Sequence, residues 1–442
     1  LGNVLAAEVP MLRCVRIDLD PQPRSDEPDV LFNAIWNSDN DDRVALRAGQ
    51  RYVARLIPGV LDEQGKLPIK FNPEGSYLIT GGLGGLGLAF SHWLADRGAK
   101  HLVLLGRRAP SREAEQDLRA LRESGVEVRV AAVDVSSEAA VAGLLREIAA
   151  GMPPLRGILH AAGIVDDGIL AEQTWARFER AMAPKVNGAW NLHVHTKGLP
   201  LDFFVMFSSA AALLGSPGQG NYATANAFLD GMAAWRRSQG LAAVSINWGS
   251  WSSIGMAADV GDQHHRRWEA MGLRMIAPEA GVQMLEEILV RSPSSQVAAL
   301  PLMPERLPRG APFLSGIVEN GSAPDQAAGG GSQGRILAQL VDSQSGERRE
   351  LLQAYLCEQL VLIFALGSGY VVEADRSLME MGMDSLMAVE LRNRLQADLK
   401  VSVAVADLLA GPSVTELADQ LLAQVGQQAD PEPAEEWEEG SL

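Results

Sequence analysis

The 442-residue chain has little of several residue types, and each scarcity excludes a class of protein. It has only two cysteines, Cys14 and Cys357, which lie far apart and without a CxxC or Cys/His cluster. We therefore expect neither a disulfide framework nor a metal centre, and a reducing, cytoplasmic compartment. Lysine and arginine number 38 against 55 aspartates and glutamates, a net charge of −17. This charge disfavours a nucleic-acid partner, because binding to phosphates requires a positive field.

Long apolar runs are also missing from the sequence. No uninterrupted run reaches the length of a membrane-spanning helix, and the chain does not open on the basic and then apolar stretch of a secretory signal. We therefore expect no membrane partner. Because the sequence opens in mid-pattern at Leu1, we expect it to be a segment of a longer chain.

The sequence is rich in alanine, leucine, valine and glycine, with 47% apolar and 5% aromatic residues. From Tyr77 onward, short apolar runs alternate with amphipathic stretches, the pattern of a doubly wound parallel sheet. We predict an α/β, Rossmann-like domain over residues 67–310. Its predicted strands are 77–80, 101–105, 126–133, 157–160, 203–207 and 243–248, and its first helices are 88–97, 111–124 and 138–149.

The segment before this domain, residues 1–66, has short apolar runs broken by an acidic stretch around Asp39 to Asp42. Three of these runs, 12–17, 44–46 and 52–57, have the composition of strands. We predict a partial domain built from these strands.

The segments after residue 310 differ in composition from the α/β domain. Residues 311–345 are rich in Gly, Ser, Ala, Gln and Pro, which predicts a flexible linker. Residues 346–425 hold amphipathic stretches with short connections and predict an all-α four-helix bundle. The acidic residues 426–442 predict a disordered tail. Predicted helices of the bundle are 348–366, 385–399 and 413–425.

A glycine-rich turn follows the apolar run Tyr77 to Ile79 and precedes an amphipathic helix. Glycines in that context permit a tight turn and let backbone N–H groups approach a pyrophosphate at the helix N-terminus. We therefore predict a dinucleotide site. Its predicted residues are Thr80, Gly81, Gly82, Leu83, Gly84, Gly85, Leu86 and Gly87.

The position about twenty residues after the turn distinguishes the two nicotinamide cofactors, because a carboxylate there holds a ribose hydroxyl and an arginine accommodates a 2′-phosphate. Here the residues are Arg107 and Arg108, which favours NADPH, with Arg107 as the first candidate. Asp134 has two interpretations. It either accepts a hydrogen bond from an adenine amine or caps the helix that begins near Ser136.

Tyr222 and Asn226, one helical turn apart, lie downstream of Ser209 in a pattern typical of a carbonyl-reducing site. Hydride delivery to a ketone leaves charge on the carbonyl oxygen, so the site needs a donor to that oxygen and an acid. We predict Tyr222 as the acid and Ser209 as the second donor. A phenol, with a reference pKa of about 10, needs a nearby cation at neutral pH, and Lys185 is the candidate. Asn226 either holds a water or orients the lysine.

Several stretches together resemble a known family. TGGLGGLG, LLGRR, HAAGIVDDG, MAPKVNGAWNL and FSSAAALLGSPGQGNYATANAFLD resemble the catalytic half of a ketoreductase domain of a modular (type I) polyketide synthase, over about residues 68–306. This family is a branch of the short-chain dehydrogenase/reductases. In it the lysine comes from an earlier helix and an asparagine stands four residues after the tyrosine, as Lys185 and Asn226 do here.

The resemblance extends beyond the catalytic residues. Residues 1–66 resemble the latter part of the non-catalytic, structural half of the same domain, whose first strands are missing. The resemblance also implies further cofactor-binding residues after two of the predicted strands. These are Val135, His160, Ala161, Ala162 and Gly163.

The family resemblance implies a stereochemical class. An Asp-Asp pair in the loop after HAAG marks the B-type members, which make the D-configured hydroxyl, and Asp166 and Asp167 match it. The opposite class has a tryptophan eight residues before the tyrosine, where this chain has Leu214. Thr224 stands where epimerising members have proline, so we expect no epimerisation. Val165, in place of the usual leucine, is a departure, and a hydrated turn is the alternative for the Asp-Asp pair.

Asp384-Ser385-Leu386, followed by the amphipathic MAVELRNRL, is similar to the attachment site of acyl carrier domains. The resemblance implies that 4′-phosphopantetheine is esterified to Ser385. A tethered arm presents its acyl thioester to distant sites at high effective concentration. The alternative is that Asp384 or Ser385 only caps a helix.

The leading hypothesis is a ketoreductase with an acyl carrier that uses NADPH to reduce a β-ketoacyl thioester held on Ser385 to the β-hydroxyacyl thioester. The resemblance implies upstream ketosynthase and acyltransferase partners, a phosphopantetheinyl transferase and a homodimeric synthase. Three alternatives stay open. They are the corresponding end of a multifunctional fatty acid synthase, a carrier scaffold whose inactive reductase serves for docking, and a free-standing alcohol dehydrogenase with an unrelated helical tail.

Overall fold

The computed structural model describes residues 1–12, 14–22, 24–36, 41–59, 62, 68–255, 268–269, 272–307, 311–318, 335–343, 345–364 and 372–428. The chain divides into two compact units, Leu1–Ser322 and Ala323–Leu442. Each unit buries its own apolar core.

Two separate sheets form the first unit. Its strands are β1 (Arg16–Asp18), β2 (Arg43–Arg47), β3 (Gln50–Val53), β4 (Ser76–Thr80), β5 (His101–Gly106), β6 (Glu127–Ala132), β7 (Leu155–His160), β8 (Phe203–Ser209), β9 (Val244–Trp248) and β10 (Gln296–Ala299). The larger sheet has seven strands in the order β10-β9-β8-β7-β4-β5-β6, and all its neighbouring strands are parallel. The strand order reverses beside β4, which opens a crevice at the carboxyl ends of the strands.

The helices of the first unit cover both faces of the larger sheet and reach into the N-terminal segment. In the helix 112–123, Ser111 caps the first turn by accepting from the Ala114 backbone N–H at 3.2 Å, and Ala114, Leu118 and Leu121 form the buried stripe. The helices are α1 (Gly2–Glu8), α2 (Glu27–Trp36), α3 (Gly85–Asp96), α4 (Arg112–Glu123), α5 (Glu138–Gly151), α6 (Trp175–Met182), α7 (Gly188–Thr196), α8 (Ala210–Leu214), α9 (Gly220–Ser238), α10 (Pro278–Arg291) and α11 (Ser315–Val318).

The larger sheet is buried on both faces. Strand β4 is buried along its whole length, and its successive side chains belong to different cores. Tyr77 and Ile79 pack with α3 and α4 residues in one core, and Leu78 packs in the other. Because side chains of a strand alternate between faces, each strand supplies both layers. The predicted doubly wound, Rossmann-like sheet is confirmed.

The N-terminal segment contains helices as well as the predicted strands. Strands β1 and β2 are parallel and β3 is antiparallel to β2, but α1 and α2 lie in the same segment, so the prediction of strands alone was wrong. The predicted run 12–17 begins as a 3₁₀ turn, Pro10–Leu12, and becomes a strand only at Arg16. Helix α2 has acidic residues in its first turn, which suit a helix N-terminus.

The start of the predicted linker is folded. Pro312–Leu314 form a 3₁₀ turn, and α11 follows directly. The Leu56 backbone N–H donates to the Phe313 carbonyl at 2.7 Å, and the Arg43 guanidinium lies 3.8 Å from the centroid of the Phe313 ring. The linker prediction is therefore wrong for 311–318, where Phe313 packs against Arg43 and Leu314 is buried. Residues 319–334 lie outside the described part of the chain.

The second unit is a helical bundle, as predicted. Its helices are α12 (Arg335–Asp342), α13 (Ser345–Ile363), α14 (Ser385–Leu399), α15 (Val405–Leu409) and α16 (Val414–Gln428). Apolar residues from all these helices meet in one core.

Two boundaries of the second unit differ from the predictions. Helix α12 lies within the predicted linker, because Ile336 and Leu340 stand one turn apart and are both buried in the core. Helix α16 continues to Gln428, so the predicted disordered tail does not begin at residue 426. Residues 429–442 of that tail lie outside the described residues.

The described residues contain neither a membrane span nor a cluster of metal ligands. No helix in the described ranges is long and apolar enough to cross a membrane. That part of the chain also brings together no group of three His, Cys, Asp or Glu residues that could hold a metal ion. Cys14 and Cys357 are free thiols in different units.

Candidate active site

A cavity of about 410 Å³ lies at the carboxyl ends of β4, β5, β6 and β7, at the reversal of strand order. This is the crevice in which open α/β sheets bind their ligands. The lining residues are Thr80, Gly81, Gly84, Gly85, Leu86, Gly87, Leu105, Gly106, Arg107, Val133, Asp134, Val135, Ser136, Ala161, Ala162, Gly163, Ile164, Arg180, Ala183, Pro184 and Gly255.

The glycine-rich turn forms the floor of this cavity. Gly81 has a left-handed φ of +67°, and Gly84 is the N-cap of α3. A Cβ atom on Gly87 would lie 2.3 Å from the Gly81 carbonyl oxygen, so the first turn of α3 is held directly against the loop. The turn therefore places open space beside the backbone N–H groups at the N-terminus of α3, which is where a pyrophosphate binds. These residues fit a dinucleotide.

Two residues of the predicted turn do not line the cavity. A Cβ atom on Gly82 would lie 2.7 Å from the Ile79 carbonyl and 3.0 Å from Leu104, so Gly82 packs the turn against β4 and β5. The Leu83 side chain packs beside Gly106, since a Cβ atom on Gly106 would lie 2.9 Å from the Leu83 side chain. Both residues shape the turn from behind, while the other six predicted residues face the cavity.

Arg107 lines the cavity and Arg108 does not. Asp134 also lines it, and accepts hydrogen bonds from Ser136 N at 2.9 Å and Ser136 Oγ at 2.7 Å. These bonds, and secondarily the Arg107 charge, hold the pKa of Asp134 below its ordinary value. The N-cap of α5 is Ser137, so Asp134 is not the helix cap that one interpretation made it.

The end of β7 provides the opposite wall through Ala161, Ala162 and Gly163, and Val135 completes it. His160 is fully buried behind this wall, with Nδ1 2.8 Å from Thr80 Oγ1. Burial, with the neighbouring Lys185 charge, lowers the pKa of His160 to about 3, which keeps the ring neutral. His160 therefore ties β7 to β4 from behind the cavity wall.

The four predicted catalytic residues converge from three elements, although none of them lines the cavity itself. Lys185 projects from a π-helical turn, Ala183–Asn187, directly after the lining residue Pro184. Ser209 ends β8 and caps α8, accepting from Ala211 N at 3.2 Å. Tyr222 and Asn226 lie on α9, which packs on both β8 and the π-helical turn.

Lys185 and Tyr222 form a buried pair. Lys185 is 2% exposed and Tyr222 is 8% exposed, and Lys185 Nζ lies 5.7 Å from the centroid of the Tyr222 ring. Burial lowers the pKa of Lys185 to about 8 and raises the pKa of Tyr222, although Asn226 and Ser209 partly oppose the second shift. The lowered pKa brings Lys185 closer to releasing its proton at neutral pH. The raised pKa of Tyr222 means that the phenol holds its proton unless a partner stabilises its anion.

A polar network that the sequence did not reveal lies beneath this pair. Lys185 Nζ donates to the Phe207 carbonyl at 2.7 Å. Asn247 donates to Asp230 at 3.0 Å and to Ser208 Oγ at 2.9 Å, and Ser208 Oγ donates to the Asn226 carbonyl at 3.2 Å. The Asp230 charge opposes the lowering of the Lys185 pKa. The helical spacing of Asp230, two turns after Tyr222, was the only signal in the sequence.

The Asp166 and Asp167 side chains are held in a loop beside α9. Asp166 makes ion pairs with Arg177 at 2.9 Å and Arg180 at 2.8 Å. The Gln219 side chain donates to the Asp167 carboxylate at 3.1 and 3.2 Å. The loop is therefore anchored by side chains rather than by hydration alone. Leu214, the third residue of the predicted stereochemical set, is half-buried at the end of α8.

In the second unit, Ser385 is the first residue of α14. The N-cap is Asp384, whose carboxylate accepts from Met387 N at 2.8 Å. Of the two capping alternatives, the structure therefore assigns the cap to Asp384.

A parallel sheet with a cavity floored by the glycine turn, flanked by a buried lysine and tyrosine, defines the class as a Rossmann-fold reductase. Two family models match the chain, a KR domain over residues 75–253 and a phosphopantetheine attachment site over residues 355–421. Similar solved structures include an A-type ketoreductase from a modular polyketide synthase, 34% identical with a TM-score of 0.65, covering 73% of this chain and 69% of that one. The chain belongs to the ketoreductases of modular polyketide synthases and also carries a phosphopantetheine attachment domain.

Further relatives agree with this assignment. A ketoreductase from the first module of phoslactomycin biosynthesis in Streptomyces sp. HK803 is 32% identical with a TM-score of 0.62, covering 73% of this chain and 72% of that one. A phenolphthiocerol/phthiocerol polyketide synthase of Mycobacterium tuberculosis is 36% identical over 98% of this chain. The chain spans only 24% of that relative. The alternative of an unrelated helical tail is thus wrong, and the two family models imply NADPH and covalent phosphopantetheine as cofactors.

The glycine turn yields a test of the cofactor cradle. We expect Gly87→Ala to raise the dissociation constant for NADPH by about tenfold or more, because overpacking costs about 1–3 kcal/mol and here pushes the turn apart. Fluorescence titration with NADPH measures the change. Gly143→Ala on α5 is the matched control, since nothing lies within 4 Å of its added Cβ. Unchanged affinity in Gly87→Ala would contradict the close approach.

Proposed function

We propose that this chain reduces a β-ketoacyl thioester, carried on Ser385, to the β-hydroxyacyl thioester during polyketide biosynthesis. The observation that carries the proposal is the buried Lys185 and Tyr222 pair next to a cavity floored by the glycine turn. A lone buried tyrosine would be a packing residue. A tyrosine whose ring lies 5.7 Å from a buried ammonium is a candidate acid.

The proposed chemistry divides between cofactor and protein. The glycine turn and Arg107 would hold NADPH, whose chemistry would be hydride donation to the carbonyl carbon, and the carbonyl oxygen would then need one proton. Tyr222 provides that proton and Ser209 donates a hydrogen bond to the same oxygen. The Lys185 ammonium stabilises the phenolate that Tyr222 becomes. Asn226 supports the pair by holding the α9 backbone, since its Nδ2 donates to the Tyr222 carbonyl at 2.8 Å.

We propose NADPH rather than NADH because of the charges on the cavity wall. Arg107 faces the cavity and can pair with a 2′-phosphate. Asp134 also lines the wall, but it already accepts two hydrogen bonds from Ser136, and Arg107 lies close enough to affect its pKa. Arg108 is the second candidate of the sequence prediction and lies off the wall.

We further propose that the product hydroxyl is D-configured, as in B-type members, without epimerisation. Support comes from Asp166 and Asp167, which are anchored beside α9 by Arg177 and Gln219, and from Leu214. A solved relative described as A-type shares the fold at 34% identity, but the proposal rests on the loop residues of this chain.

The wider assembly is proposed on the family's architecture. Upstream ketosynthase and acyltransferase domains would load the carrier, a phosphopantetheinyl transferase would modify Ser385, and the whole synthase would be a homodimer. A reducing cytoplasm remains the expected compartment. The mycobacterial relatives are polyketide synthases several times longer than this chain, which agrees with such an assembly.

The proton-donor role predicts the outcome of a single-atom change. Tyr222→Phe should lower kcat for a diketide thioester mimic by at least about 100-fold, because general acid catalysis contributes about 10²–10⁴-fold. NADPH oxidation followed by absorbance measures this, and the affinity for NADPH should stay unchanged. Tyr52→Phe is the control, since that hydroxyl is exposed and donates to Gln50. Retained turnover in Tyr222→Phe would exclude the assignment, and an inactive native protein would favour the scaffold alternative.

The proposed cofactor preference predicts a loss of affinity for NADPH that is not matched by a loss for NADH. Arg107→Ala should weaken NADPH binding by about tenfold or more and leave NADH binding nearly unchanged, because only the former carries the 2′-phosphate. Paired titrations with the two cofactors measure the ratio. Arg108→Ala, one residue away but off the cavity wall, is the matched control. Equal losses for both cofactors would remove Arg107 from the phosphate site.

The carrier role predicts that arm loading can be lost while reduction of a free thioester is kept. Ser385→Ala should abolish the mass gain produced by a phosphopantetheinyl transferase and coenzyme A, yet leave reduction of a free thioester mimic intact. Intact-protein mass spectrometry reads the first effect and NADPH oxidation the second. Ser402→Ala, an exposed serine just after α14, is the control. A mass gain that persists in Ser385→Ala would place the arm on another residue.

A further inference from the structure

Glu8 is a buried carboxylate in the segment predicted to be non-catalytic. It ends α1 and is only 3% exposed. Its Oε1 accepts from Gly218 N at 2.8 Å, and its Oε2 accepts from Leu170 N at 2.7 Å. A buried carboxylate is costly unless its oxygens accept hydrogen bonds, so both bonds are needed to hold this residue inside.

The two backbone groups belong to the two loops that flank Tyr222. Leu170 follows the Asp166 and Asp167 loop, and Gly218 precedes α9, which carries Tyr222. The loops also touch directly, since Gly168 N donates to the Gly218 carbonyl at 2.7 Å. Glu8 therefore bridges the candidate stereochemical loop and the loop that leads to the candidate acid.

The rest of α1 makes further contacts around the candidate acid. Asn3 Nδ2 donates to the Ala212 carbonyl at 2.6 Å and to the Leu213 carbonyl at 3.1 Å, in α8. Val4 is fully buried in a cluster that contains Ala211, Tyr222 and Ala223. Helix α1 thus packs behind the candidate acid with both polar and apolar contacts.

We propose that Glu8 is a positioning residue for the ketone reduction. Glu8 fixes where Tyr222 lies relative to the Asp166–Asp167 loop, and this placement decides which face of the ketone receives the hydride. This inference rests on the proposed function. One carboxylate with an oxygen bonded to each loop holds the two loops together from behind, in addition to the direct Gly168–Gly218 hydrogen bond. A misplacement of about 1 Å at a reacting group can cost about 100-fold in rate.

The test is Glu8→Gln, which keeps the shape but turns one acceptor into an NH₂ group that faces a backbone N–H. We expect kcat for a diketide thioester mimic to fall about 10- to 100-fold. The minor product diastereomer should rise at least about threefold by chiral chromatography. The NADPH dissociation constant should stay within about twofold, because the glycine turn makes none of the contacts with α1 described above. Glu172→Gln removes an exposed carboxylate near the same loop and is the matched control.

The outcomes separate this inference from the proposed function. An inactive native protein overturns the proposed function itself. An active native protein with unchanged kcat and product ratio in Glu8→Gln overturns only the role of Glu8. A fall in kcat with an unchanged product ratio and a matching loss of NADPH affinity also overturns it, because it indicates general destabilisation. If Glu8→Gln does not fold, Glu8→Asp, which keeps both acceptor oxygens on a shorter side chain, tests the same bridge by the same product ratio, and an unchanged ratio there overturns the inference.

Discussion

The Lys185 ammonium, buried against the Tyr222 ring, is the constraint on which the site depends. An ammonium removed from water is costly, and the fold offsets that cost with the Phe207 carbonyl, 2.7 Å away, and with the Asp230 charge. Strand β8, which supplies Phe207 and Ser209, and helix α9, which supplies Tyr222 and Asn226, must therefore keep their relative position. Burial that lowers the lysine pKa to about 8 also raises that of the phenol, so one cause tunes both partners.

The rigidity that this pair needs comes partly from a segment outside the Rossmann sheet. Helix α1 closes the back of Tyr222 with Val4 and holds the neighbouring loops through Asn3 and Glu8. The division at residue 66 into a structural and a catalytic part thus follows a change in sequence pattern. It does not separate two independently packed parts, because α1 contacts the surroundings of Tyr222. The same applies at the other end of the first unit, where Phe313 packs under Arg43 although its neighbours have the composition of a linker.

Local patterns carried the successful predictions. The strand, glycine turn and helix from Ser76 to Asp96 are contiguous, so their residue types alone predict a dinucleotide-binding turn. Tyr222 and Asn226 share a helix face through periodicity, and the strands of the large sheet follow from short apolar runs. Predictions from averaged composition failed where a few residues decide whether a segment is folded. Helices α11 and α12 lie in the predicted linker, and the last turn of α16 lies in the predicted tail. Only the tertiary structure excluded the capping interpretation of Asp134, because it shows Ser137 as the N-cap of α5 and Asp134 on the cavity wall.

The sequence by itself predicted the fold class, the glycine turn, the candidate catalytic set and the candidate carrier serine, through local residue patterns and through the family that those patterns resemble. Only the tertiary structure decided which of these groups are buried and what surrounds them. Glu8 meets Gly218 across 210 residues of chain, and Asn247 meets Ser208 across 39. Such contacts arise from how strands and helices pack, and the pKa shifts of Lys185 and Tyr222 arise from the same packing.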